Sequence, residues 1–167
     1  VLHQTIGFLL DHGFWHSDRV QGVQLLHDGF TDALAAMNGI FEGSEHVSRE
    51  EFARVSRYWI HTLKGIQAVG WNERVRLADL PTFEARQRAE GVRNFKVFNN
   101  PDLPPPPGPE AVVVQYIEPP ASNDRALGFN ILSRPESKVA YDQAIREGRA
   151  IASRGFQLIQ AQGDQVD

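Results

Sequence analysis

His12 and His16 stand four residues apart with Asp11 beside them, a spacing at which one helix face could offer two imidazoles to a metal ion. Neither histidine has the neighbouring Glu of a metalloprotease helix, and no third ligand is specified, so the pair reads as packing and the expected metal content is none. Any of the six histidines could titrate near neutrality, but nothing in the pattern selects one. Glu118 and Asp124 are the carboxylates that come nearest to an acid/base pair. Glu118 is followed by Pro119, though, and that dipeptide is better explained as the end of a strand. The chain contains no cysteine, which removes thiolate nucleophiles, thiolate metal sites and disulfides together. No glycine-rich loop opens a helix to cradle phosphate, and no nucleophile elbow is present. These residues predict a chain that binds and does not catalyse, with no cofactor.

Binding a small molecule needs an apolar cleft with a few placed polar groups. Alternation along the β-branched run at 111–117 sets Val112, Val114 and Tyr116 on one face, with Val113, Gln115 and Ile117 on the other. Leu127 and Phe129 share a face of the following segment. Val112, Val114, Tyr116, Leu127 and Phe129 are the expected ligand wall, with the Tyr116 hydroxyl as its polar contact. The same five could equally be plain core.

The elements that must position this wall are legible in outline. Leu2, Ile6, Leu9, Gly13, His16, Val20, Val23, His27, Phe30, Leu34, Met37 and Phe41 follow a 4-3 alternation, which predicts one long N-terminal helix over 1–43 with a narrow buried seam. That seam could serve a homodimer or pack on the chain's own core. A second helix starts at Ser48, where Ser48-Arg49-Glu50-Glu51 forms a capping box, and buries Phe52, Val55, Trp59 and Leu63 before Gly65. Strands are expected at 66–71, 95–98, 111–117, 127–131 and 156–159. Helices are expected over 77–89 and after a second capping box, Ser133-Arg134-Pro135-Glu136, with Gly148 as its stop. The fold class is α+β: a long N-terminal helix (1–43), then an antiparallel sheet flanked by helices (44–167).

The totals fit a binding module. A net charge of −4, with no segment rich in Lys and Arg, argues against nucleic acid as a partner. No apolar run approaches the ~20 residues that cross a bilayer. The chain opens on Val1, so it reads as a piece of a longer protein whose membrane helices are expected beyond both ends.

Several stretches taken together resemble the CHASE domain, the extracytoplasmic ligand-sensing module of transmembrane histidine kinases and nucleotide cyclases. They are the helix entry at 47–52, the apolar strand with Trp71-Asn72 and Arg74-Val75, then Phe83-Glu84-Ala85-Arg86 and Arg88-Ala89-Glu90-Gly91. Tyr116-Ile117-Glu118-Pro119 and the run from Asn123 through Gly128 to Asn130 complete the set. The likeness spans about 41–160. It implies a PAS-like, periplasmic or otherwise extracytoplasmic sensor for a small organic ligand, feeding a histidine kinase or, alternatively, a diguanylate cyclase. It also implies a second, membrane-proximal PAS-like unit, which is expected to be missing here. In the plant cytokinin receptors of the family, an Asp in the loop before the third strand hydrogen-bonds an adenine-type ligand. Asp102 lies in the corresponding loop, though Asn100-Pro101-Asp102 is also ordinary turn chemistry. Where family members carry an aromatic and then a Pro near the third strand, this chain has Ala111 and Val113, which leaves the pocket's shape and ligand open. The rival readings are a stand-alone binding protein and a ligand-free dimerisation or scaffold module.

Overall fold

Ser48 begins the helix that lies against the sheet. In the computed structural model, which describes residues 4–10, 29–39, 44, 46–63 and 65–153, its hydroxyl accepts from the Glu51 amide while the Glu51 carboxylate accepts from the Ser48 amide. The predicted capping box is therefore formed, and it contributes about 1 kcal/mol to the helix it opens. That helix, α2 (Arg49–Thr62), follows a helical stretch α1 at 29–39. Phe52 is fully buried and sits with Met37, Val47, Val69, Trp71 and Tyr116 in one apolar cluster, against which Val55, Trp59 and Ile60 pack.

The sheet that α2 covers has three antiparallel strands in the order β1 (Gln4–Leu10), β2 (Ile66–Arg76), β3 (Glu110–Glu118). Every residue of β3 from Ala111 to Ile117 is buried, so the strand is covered on both faces, and its run is apolar except at Gln115. Between β2 and β3 lie a 3₁₀ turn (Leu77–Asp79) and helix α3 (Leu80–Ala89), with Pro81 in its first turn. After β3 the Glu118–Pro119 peptide is cis, and three short 3₁₀ turns lead into α4 (Pro135–Glu147), which stops at Gly148 in a left-handed conformation.

Register assigns the faces. Val69, Trp71, Glu73 and Val75 point to one side of β2, while Ala68, Gly70, Asn72 and Arg74 point to the other. On the first side α2 covers Val69 and Trp71, and α3 covers Val75 through Phe83, in a cluster with Phe95, Ala111 and Val113. Arg86 of α3 reaches Glu73 at 2.7 Å, which fixes the helix over that end. On the second side, Ala68, Val114, Ile117, Ala126 and Phe129 form a separate cluster with Phe98, Leu127 and Ile131 around it.

Four expectations are corrected. The long helix predicted from residue 1 is not continuous, because Gln4–Leu10 is strand β1 on the edge of β2. An apolar segment this short fits either state by periodicity, and a free sheet edge decides it. Of the remaining seam, 29–39 is helical with Phe30 and Met37 buried, while 11–28, including His12 and His16, lies outside the described residues. The strands expected at 95–98 and 127–131 shrink to single bridges, Phe98 to Phe129 and Val113 to Asn130. Side chains of α3 satisfy the backbone of the first instead: Glu84 accepts from the Val97 amide at 2.9 Å and Arg88 donates to the Phe95 carbonyl at 2.9 Å. The second capping box does not form; Arg134 caps α4 without a side-chain bond, and Pro135 supplies a first residue that needs none. The strand predicted at 156–159 lies outside the described residues.

Candidate functional site

Gln115 decides which predicted wall residues meet. Trp71 pairs with Tyr116 but Asn72 pairs with Val114, so Gln115 is an extra residue and β3 bulges there. Strict alternation would keep Tyr116 on the side of Val112 and Val114. The bulge turns it to the opposite side, against α2 and between Phe52 at 5.9 Å and the Arg49 guanidinium at 4.7 Å. A two-residue period carries no sign of this extra residue.

Tyr116 is consequently a core residue with a fully engaged hydroxyl. Its Oη donates to the Val47 carbonyl at 3.1 Å and accepts from Gln115 Nε2 at 3.0 Å. Burial pushes its hydroxyl up to about 12, with Glu90 adding to the effect. A raised acid pKa means that the folded state holds the proton after the unfolded chain has released it, so stability falls as pH climbs past ~10. Between pH 8 and pH 11 this tyrosine alone should cost about 1.4 kcal/mol. Urea unfolding of the native chain and of Tyr116→Phe across that range is expected to show the native chain losing that much more than the variant. Equal losses would remove Tyr116 as the cause.

Val112, Val114, Leu127 and Phe129 do lie together on the second side or its edge. Val112 and Val114 share that face by register, and Val114 and Phe129 belong to one cluster with Leu127 packed on it. The Phe98 ring lies 5.6 Å from that of Phe129, tilted by 51°, and the buried Arg134 guanidinium lies 5.3 Å over the Phe129 ring. Burial lowers the Arg134 pKa, with Glu136 opposing. Sequence reasoning used Arg134 only as part of a capping box and so missed a cation on this wall. A lone Arg before Pro gives no signal of such a position.

Asp102 is exposed on the loop that leaves Phe98. Its amide donates to Asn100 Oδ1 at 3.1 Å, which is the turn chemistry that the tripeptide predicts. The loop is tied back to the wall by residues that the sequence reading passed over. Asn130 Nδ2 donates to Asn99 Oδ1 at 2.9 Å, and Ser133 Oγ accepts from the Asn100 amide at 2.9 Å. Glu118 is partly buried beside α2, and burial raises its pKa against the opposing Arg57 and Arg49. Asp124 is exposed one turn beyond the cis peptide.

Among the described residues no group of three His, Asp or Glu side chains could hold a metal ion, and no helix is long and apolar enough to cross a membrane. Val112, Val114 and Phe129 are themselves buried and Leu127 partly so, which makes this an apolar set packed as core beside a buried cation and an exposed carboxylate on a tethered loop. No protein of curated function matches the sequence. A family model described as the CHASE domain matches residues 45–167, which takes in α2, β2, α3, β3, α4 and everything just described. The chain belongs to the CHASE domain family, whose members are extracellular sensor modules of signalling receptors.

Proposed function

We propose that this chain senses a small organic molecule for a transmembrane receptor, with an adenine-type compound as the first candidate and a histidine kinase as the output. A diguanylate cyclase is the alternative output. The observation that carries this reading is the Asp102 carboxylate, exposed on a loop fastened beside the apolar set Val112, Val114, Leu127 and Phe129. A carboxylate accepts two donors from a purine-like edge. Because Val112, Val114 and Phe129 are buried, a ligand that uses their apolar surface must displace what now packs on them. The lateral order β1, β2, β3, 128–130, Phe98, with α3 inserted between β2 and Phe98, supports a PAS-like unit. Self-association through the N-terminal segment and anchoring of the parent by flanking membrane helices belong to the same proposal.

The test is a thermal-shift screen against adenine-type cytokinins, amino acids and organic acids. A ligand at 100 times its Kd adds roughly 2.7 kcal/mol. For a domain of this size that raises the melting temperature by about 5–10 °C. Asp102→Ala should melt at the native temperature without ligand and lose at least ~10-fold in affinity, since a charge-assisted bond is removed. An undiminished shift in that variant takes Asp102 out of the site. Silence across the whole screen favours the ligand-free scaffold reading.

A further inference from the structure

We infer that Asn130 and Ser133 are positioning residues that lock the Asp102 loop to strand β3 and to the start of helix α4, so that the loop and α4 move as one unit. The inference rests on the sensor reading only for its purpose; the lock itself is a matter of hydrogen bonds.

Asn130 is buried and uses every polar group it has. Its Oδ1 accepts from the Val112 amide at 3.1 Å and from the Leu132 amide at 3.2 Å, which joins β3 to the 3₁₀ turn before α4. Its Nδ2 donates to Asn99 Oδ1, its amide donates to the Phe98 carbonyl at 2.8 Å, and its carbonyl accepts from the Ser133 hydroxyl at 2.6 Å. Ser133, also buried, accepts from the Asn100 amide with its hydroxyl oxygen. Asn100 in turn holds the Asp102 amide. An unbroken chain of bonds thus runs from β3 through Asn130 and Ser133 to Asn100 and Asp102.

Ser133 is also the last residue of the turn whose next residue, Arg134, caps α4, and the Lys138 amide donates to the Arg134 carbonyl at 2.9 Å. A displacement of Asn100 by even an ångström would stretch bonds that fix the first turn of α4. Buried polar networks that are fully satisfied behave in this all-or-none way, because a half-made network leaves desolvated groups without partners. The opposite end of the segment is held independently by Glu84 and Arg88 of α3, so a strained loop has no slack to take up at Phe95 or Val97.

Amide hydrogen exchange on the chain without any ligand tests this. In Ser133→Ala the Asn100 and Lys138 amides should exchange about tenfold faster, as expected for the loss of one net hydrogen bond, while the β2 and β3 amides keep native protection. Ser133→Thr, which restores the hydroxyl, should return both rates towards native. Asn100→Ala guards against a folding defect at the buried serine: it should quicken the Asp102 amide and leave the backbone amide at position 100 unchanged. Native rates at Asn100 and Lys138 in Ser133→Ala, or acceleration spread evenly over the β2 and β3 amides, would overturn the lock. Because the readout needs no ligand, a silent ligand screen with these rates as expected would defeat the sensor reading and leave the lock standing.

Discussion

Gly128→Ala is expected to cost about 2–5 kcal/mol, which at the upper end brings a domain of ordinary stability to the edge of unfolding. Gly128 sits at φ +88, and a Cβ there would lie 2.1 Å from the Lys96 carbonyl oxygen and 3.0 Å from its carbon. The obstacle is backbone, so no rotamer change relieves it. Neither can the backbone shift freely, because the Gly128 amide donates to the Val114 carbonyl at 2.9 Å and its own carbonyl accepts from Phe98 at 3.0 Å. The residue is the hinge pin between β3 and the segment carrying Phe98. A left-handed conformation costs a non-glycine residue roughly 1–2 kcal/mol, and forced overlap adds typically 1–3 more. Gly91→Ala is the control: φ is +103, yet nothing stands within 4 Å of the added carbon. It should lose only the conformational share. Urea unfolding of both variants gives the comparison, and a Gly128→Ala loss no larger than that of Gly91→Ala would mean that Lys96 does not approach so closely.

Phe52→Ala should destabilise the chain by about 3–5 kcal/mol through lost transfer energy and the cavity left behind. Its ring is fully buried, 6.0 Å from Trp71 and 5.9 Å from Tyr116, and it is the central contact of α2 on the sheet. Collapse into the gap is hindered because Tyr116 is pinned at both ends of its hydroxyl network and Trp71 is held in the β2–β3 ladder. Val139→Ala on α4, a side chain 66% exposed, should change stability by less than ~0.5 kcal/mol. Chemical denaturation monitored by tryptophan fluorescence reads both. A Phe52→Ala cost below ~1.5 kcal/mol would show that α2 is fastened elsewhere.

Interactions confined to neighbours in the chain were legible without coordinates. The Ser48–Glu51 box, the stop at Gly148, the Asn100–Asp102 turn and the β-branched run from Ala111 to Ile117 each depend on residues close together, so residue type and spacing specify them. The family likeness was legible for a related reason, since it is carried by ordered short motifs, and it agrees with the match over 45–167.

Tertiary structure decided whatever depended on a distant partner. Gln4–Leu10 is a strand because β2 offers an edge, and a heptad-like spacing contains no information about that edge. Phe95–Phe98 forgoes a ladder because Glu84 and Arg88, eleven and seven residues upstream of Phe95, already satisfy its backbone. One extra residue at Gln115 moves Tyr116 from the expected ligand wall into the core under α2, leaving Val112, Val114, Leu127 and Phe129 to the other side. Local sequence set the caps, turns and strand propensities of this CHASE domain. Long-range pairing of the strands settled which side chains share a face, and side-chain hydrogen bonds from Asn130 and Ser133 settled which loop is tied down beside α4; no local pattern encodes either.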